Sequence, residues 1–376
     1  MKKSLLVCLL LQFPALACAS VPASPSAPAS ASAPASAKPA PSRPAGVVSD
    51  AERHARRCQS QSDYRKVWPQ GTMLWGTKRD WNTEKQTEAN SSVLVSADLA
   101  PLRRAEDGVT ALRLEGGHLV ASPSPAAGAA AQGVVGTVLQ GTASDGKPVE
   151  VAICGAEPSA EDPGMVFYSI EAWNSLAQEW ENPCVAVDRG PAPRALAVSG
   201  VWDASGAHHD APGKLTFACQ HGAITKCVLW GYKPWASRDG QSLADFHQAC
   251  TRLVRADYCG DGRSHTRQNT TIDMYDRLGM IQRELVASRQ WDPAKASFEA
   301  AWSPDGATCM ARTRDDRALE TVLNECPNRF QTGAAVELDE GERCTVRRAD
   351  VNPGAALLRN RSYGAPKSPA SSDKHP

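Results

Sequence analysis

The sequence carries no net charge, because 41 Lys and Arg residues balance 41 Asp and Glu. A chain without a whole-molecule field has no electrostatic means of collecting polyanions, so nucleic acid is not an expected partner. It also has no apolar run near the roughly 20 residues that a membrane-spanning helix needs. The stretch at residues 5–11 falls far short, so the mature chain is not expected to span a membrane. No C-x-x-C pair occurs among its cysteines. Paired spacing of that kind is what a cysteine metal site favours, so no metal and no cofactor are expected.

The N terminus is rich in export signals. Lys2 and Lys3 precede the apolar run, and small residues follow at Ala15, Ala17, Cys18 and Ala19. A charged start, a short greasy middle and a small-residue cleavage site make residues 1–19 a secretory signal. Two cuts are open. Cleavage after Ala19 frees a soluble protein, whereas cleavage before Cys18 lets that thiol take a lipid. Residues 20–49 are almost entirely Ala, Pro and Ser, too poor in apolar surface to repay backbone ordering, and they read as an extended linker. Residues 351–376 read as a similar disordered tail. The address is extracytoplasmic, either periplasmic or secreted, with a lipid anchor if Cys18 is modified.

Ten further cysteines lie at Cys58, Cys154, Cys184, Cys219, Cys227, Cys250, Cys259, Cys309, Cys326 and Cys344. An even number at scattered spacing in an exported chain reads as a disulfide framework, each bridge stabilising by about 2–4 kcal/mol. Spacing alone does not give the pairing. One pair is excluded if residues 243–259 are helical: Cys250 and Cys259 would then lie about 13 Å apart along the axis, beyond the roughly 7 Å a bridge tolerates.

The fold class expected is α+β. Residues 50–155 form a β-rich subdomain, and residues 156–350 a cysteine-rich mixed domain in which strands and helices follow no regular βαβ order. In the first part, an Asp145-Gly146 turn between two alternating segments signals a hairpin. In the second, Leu243, Phe246, Cys250, Leu253 and Val254 mark one face of a helix over 242–258, with Ser242 as its cap and Gly260 as its stop. Another helix is expected over 316–326, ended by Pro327. A hairpin is expected to turn through Ser303-Pro304-Asp305-Gly306.

The densest stretch runs from Phe217 through Cys219, Cys227, Trp230 and Trp235 to Ala256-Asp257-Tyr258-Cys259-Gly260-Asp261-Gly262. Across residues 154–276 it resembles the ADYC-domain family of bacterial exported proteins, named for the tetrapeptide at residues 256–259. The resemblance places the chain and implies no chemistry. On their own, these residues read as a helix exit into a Gly-rich turn fastened by a disulfide. A sharper alternative makes Cys259 a nucleophile, with His265 or His247 as base and Asp257 as its orienter; it requires a reduced thiol. A carboxylate hydrolase built on Asp257, Asp261 and His265 would need all three to face one pocket. Asp203, His208, His209 and Asp210 crowd one loop, but adjacent histidines rarely share an ion well. Trp230, Tyr232 and Trp235 could form an aromatic platform for a glycan or peptide, or pack as core. The function expected is a non-catalytic envelope or secreted module whose partner is a protein or glycan, with a secreted hydrolase as the alternative.

Overall fold

The alternation of side chains along the strands decides the architecture. In the computed structural model, residues 48–60, 73–77, 94–105, 108–123, 132–186, 192–267, 270–314, 317–350 and 352–363 are described. The signal segment with Cys18, most of the linker and residues 364–376 lie outside them. In chain order come α1 (Asp50–Ala55), β1 (Leu94–Arg104), β2 (Ala111–Glu115), β3 (His118–Ser122), β4 (Val138–Ala143), β5 (Pro148–Pro158), β6 (Val166–Asn174) and β7 (Glu179–Glu181). Next are β8 (Ala195–Ser199), β9 (Val201–Trp202), β10 (His208–His209), β11 (Lys214–Cys219), α2 (Ala223–Leu229), β12 (Ser237–Arg238), β13 (Gln241–Ser242) and α3 (Ala244–Arg255). The chain continues through β14 (Ile272–Asp276), β15 (Ala296–Ser303), β16 (Gly306–Met310), α4 (Leu319–Glu325), β17 (Phe330–Glu337), β18 (Arg343–Arg348) and β19 (Leu358–Tyr363).

Strand β5 pairs with β4 on one side and β6 on the other, so the sheet β5-β4-β1-β11-β8-β6 closes on itself as a six-stranded antiparallel barrel, with β7 added to β6. Closure removes open edges. In β11, Leu215, Phe217 and Cys219 point into the barrel with Val151, Ile153, Tyr168 and Ile170. Ala218, with Phe167, Leu196 and Val198 of neighbouring strands, points out against α2 and α3. Hairpin β2–β3 adds Leu112 and Leu119 to the barrel core, and the Leu119 N–H donates to the Tyr168 hydroxyl at 2.7 Å.

The second sheet has the order β14-β19-β15-β16-β18-β17, all antiparallel. Met274, Ala300, Trp302, Met310 and Leu358 on one of its faces join the same cluster as α2 and α3. The helices are therefore a middle layer between barrel and sheet. Helix α3 is buried on nearly every side: its apolar stripe joins this cluster, and its polar side chains His247, Gln248 and Arg252 are bonded to neighbouring backbone carbonyls.

All ten cysteines pair, as Cys58–Cys154, Cys184–Cys219, Cys227–Cys250, Cys259–Cys326 and Cys309–Cys344, with Cα atoms 5.1 to 5.8 Å apart. Cys250 and Cys259 bond elsewhere, to α2 and to the end of α4.

Four expectations need correction. The division at residues 155 and 156 runs through β5, whose two neighbours lie on either side of it. A strand with partners on both flanks belongs to one barrel, so 50–155 is no separate subdomain. The tail at 351–376 is also wrong for residues 358–363, which form β19 between β14 and β15. A mixed α/β domain is only partly right, since four short α-helices among the described residues stand against 19 strands. Finally, α3 stops at Arg255, with Ala256 in the left-handed region at φ 51°, earlier than the glycine expected to end it.

Candidate functional site

The ADYC tetrapeptide occupies the exit of α3, and each of its members is already bonded. The Asp257 N–H returns to the Arg252 carbonyl at 2.9 Å and stabilises the left-handed turn at Ala256. The Asp257 carboxylate is wholly buried. It accepts from Arg252 Nη1 at 2.6 Å and from the backbone N–H groups of Asp261 and Gly262 at 3.1 and 3.0 Å. The same Arg252 donates from Nε to the Pro304 carbonyl at 3.0 Å and from Nη1 to Ser205, so one guanidinium touches the helix exit, the β15–β16 turn and a barrel loop.

Tyr258 lies deeper still. Its ring stacks on Trp302 with centroids 5.3 Å apart. Its hydroxyl donates to Glu299 Oε1 at 3.0 Å and accepts the Arg314 N–H at 2.7 Å. Burial, with the Glu299 charge beside it, holds the phenol well above its usual range. Glu299 on β15 is fully buried and also accepts from Arg314 Nε at 3.1 Å, Arg314 Nη2 at 3.0 Å and Ser362 Oγ at 2.6 Å. Arg314 then reaches the Val254 and Leu253 carbonyls at 3.0 and 2.7 Å. A cation at the C-terminal carbonyls of a helix satisfies acceptors that have no partner within it. Cys259 closes the corner through its bridge to Cys326.

Two glycines show how closely these parts approach. A Cβ on Gly260 (φ +69°) would stand 1.9 Å from the Asp305 carbonyl oxygen, and one on Gly262 (φ +88°) 2.3 Å from that of Ala204. Backbone meets backbone at both places, so side chains are excluded.

The expected hydrolase residues do not converge. Asp257 faces inward into these bonds, while Asp261 is exposed and accepts from the Arg263 N–H at 3.0 Å. His265 is buried, with Nδ1 3.0 Å from the Ala256 carbonyl and Nε2 2.6 Å from Glu325 Oε2. His247, the other candidate base, lies wholly within the core with Nε2 3.0 Å from the Ile224 carbonyl, and burial lowers its pKa to about 4. Cys259 has no thiol to offer while bridged. In the loop of ligand-type residues, His209 bonds Asp203 at 2.7 Å, whereas His208 turns to Trp202 and the Ser199 carbonyl, away from its neighbour. The aromatic platform also comes apart. Tyr232 is buried and donates to Asp276 at 2.8 Å, Trp235 packs over the Gly116-Gly117 turn, and Trp230 faces solvent.

A different feature has the shape of a binding site. A cleft of about 770 Å³ opens beside the second sheet, within the range typical of small-molecule sites. One wall is the turn after β14, with Arg277, Ile281, Arg283 and Leu285; the other is formed by Asp339, Glu340 and the segment at 354–357; Tyr275 and Arg359 also line it. Behind this lining lies Glu342, buried, accepting from the Tyr275 hydroxyl and from Arg359 at 3.4 Å. Burial pushes its carboxyl up to about 7 against the pull of Arg359 and Arg361, with Asp273 adding to the rise. Sequence reading missed this cleft because its walls come from segments more than 50 residues apart, and Glu340-Gly341-Glu342-Arg343 has the pattern of an ordinary solvated turn.

The sign of the pH effect follows from that carboxyl. Between an unfolded value of about 4.3 and the folded value of about 7, the native state binds more protons than the unfolded one. Stability therefore falls as pH rises through that window and stays lower above it. Glu342→Gln should flatten the slope and be the more stable protein at pH 8. Melting temperatures from pH 5 to pH 8 check this, and an unchanged slope would assign the dependence to another group.

In comparison with known proteins, a family profile described as the ADYC domain matches residues 131–316. It begins just before β4, ahead of the expected domain start at 156, and it includes the corner from α3 to Arg314 but not Cys326, the bridge partner of Cys259. Strands β17–β19, which complete the second sheet, lie beyond it. No protein with a curated description and no solved structure matches the chain.

Proposed function

Because this chain is an ADYC domain-containing protein, we propose that it is a non-catalytic module of the cell envelope or the secreted fraction, which binds a protein or glycan partner. The observation carrying this reading is that the motif's polar groups are used in holding α3 to its neighbours: Asp257 by three donors, and Tyr258 by Glu299 and Arg314. A catalytic group needs reach to a substrate atom, and Asp257 and Tyr258 are fully buried with their polar atoms taken up by protein partners. Five bridges and the lack of a helix long and apolar enough to cross a membrane, among the described residues, fit an extracytoplasmic address. The export-signal and Ala/Pro/Ser patterns of residues 1–49 support the same address, with Cys18 either removed with the signal or kept as a lipid anchor.

Alkylation of the native protein is expected to label none of the ten cysteines between Cys58 and Cys344, and to label all ten after reduction and unfolding. A single reactive thiol at Cys259 in the native state would restore the nucleophile reading. Mass determination of the mature N terminus distinguishes cleavage after Ala19 from a lipid on Cys18.

A further inference from the structure

We propose that the cleft beside β14 binds a small ligand carrying an oxyanion, a carboxylate or phosphate, next to an apolar group. The proposal deepens the binding-module reading and rests on it only in taking the bound ligand to leave unchanged.

Three guanidinium groups line this one cleft. Arg277 leans on the Phe246 ring at 5.5 Å and has no carboxylate within ion-pair distance among the described residues. Arg283 and Arg359 share the buried Glu342 at 3.7 and 3.4 Å, and each has one further partner, Glu340 at 3.2 Å and Asp339 at 3.5 Å. Those two partners sit on the exposed turn at the rim, with side chains 57% and 91% accessible. Exposed ion pairs of such length contribute little and are readily exchanged. Asp276, the remaining acid in the lining, is already used: its carboxylate accepts the Tyr232 hydroxyl and the N–H groups of Leu278, Met280 and Ile281.

The acid that Arg283 and Arg359 share is thus the one whose burial favours its neutral form, and the cations outnumber the carboxylates that can hold them firmly. Guanidinium groups are suited to carboxylate and phosphate because their donors match paired oxygens. Ile281, Leu285, Ala356 and Leu357 supply apolar lining between the charged groups. Leu285 is 72% exposed and available to be covered. An oxyanion on the arginines with an aliphatic group against these side chains uses both.

Calorimetric titration of the disulfide-bonded mature chain tests this with three probes: N-acetyl-leucine, its neutral amide N-acetyl-leucinamide, and inorganic phosphate. N-acetyl-leucine should bind at least about tenfold more tightly than the amide, the size expected of one charge-assisted contact. Arg277→Gln, which removes an exposed side chain without an ion partner, should erase most of that difference. Competition by phosphate would identify phosphate esters as a source of the same chemistry, and its absence would assign the site to carboxylates. Equal binding of acid and amide, an Arg277→Gln variant that binds as the parent does, or no saturable heat with any probe would overturn the proposal and leave the module reading intact. Release of free leucine from the bound probe would instead overturn the non-catalytic reading and leave the cleft assignment standing.

Discussion

Glu299→Leu is expected to destabilise the protein by about 3–5 kcal/mol, because removing one partner of a buried ion pair leaves the other charge without compensation. Arg314 would lose two of its bonds, and Tyr258 and Ser362 each the acceptor of its hydroxyl. Denaturant unfolding with the bridges intact measures the loss. Combining Glu299→Leu with Arg314→Met should recover part of it, since an apolar pair removes both desolvated charges. Recovery is expected to be incomplete, because Arg314 also holds the last carbonyls of α3. A loss below about 1 kcal/mol for the single variant would mean that this cluster does not hold helix to sheet.

Gly260→Ala should be comparably damaging. The added methyl would sit 1.9 Å from the Asp305 oxygen, and the position has φ +69°. Backbone atoms on both sides have nowhere to go, so the α3 exit and the β15–β16 turn must separate, breaking the bond from the Ala307 N–H to the Tyr258 carbonyl at 3.0 Å. Gly146→Ala is the control: it has a similar φ of +78° but open space around it, so it should cost only the roughly 1 kcal/mol of the left-handed conformation. A loss above about 3 kcal/mol is expected at Gly260. Equal losses at the two positions would show that the close approach contributes nothing beyond backbone strain.

How much of this was legible depends on whether the contact is local. The α3 stripe, the Asp145-Gly146 hairpin and the Ser303-Pro304-Asp305-Gly306 turn are each written in a few neighbouring residues, and each forms, with α3 about two residues shorter at its start and three at its end. Strand β19 is the opposite case. Its residues Leu358, Arg359, Asn360, Arg361, Ser362 and Tyr363 look solvent-seeking, and so they read as tail. In the fold Arg361 pairs with Asp273 at 2.7 Å, Asn360 accepts from Trp302 at 2.8 Å and Ser362 donates to Glu299. Buried polar groups with distant partners have no signature in their own segment. The barrel was hidden for a related reason, since closure depends on β1 meeting β11 and β6 meeting β8, pairings that no turn sequence announces. Of the candidate site, the corner was legible as a corner because glycine and cysteine mark it, while the cleft depends on side chains brought together only by folding.

The Cys58–Cys154 bridge fixes the N-terminal end of the described fold to β5. If the module is held by its N terminus while fluid or a partner drags on the head, the secondary structure lying ahead of that cross-link among the described residues is the six-residue α1. Force beyond the unravelling of that one helix would pass through a covalent sulfur link into a strand paired on both flanks, where it must shear hydrogen bonds in parallel. Such an attachment yields by a few residues and then stops, which makes the bridge a mechanical stop as well as a staple.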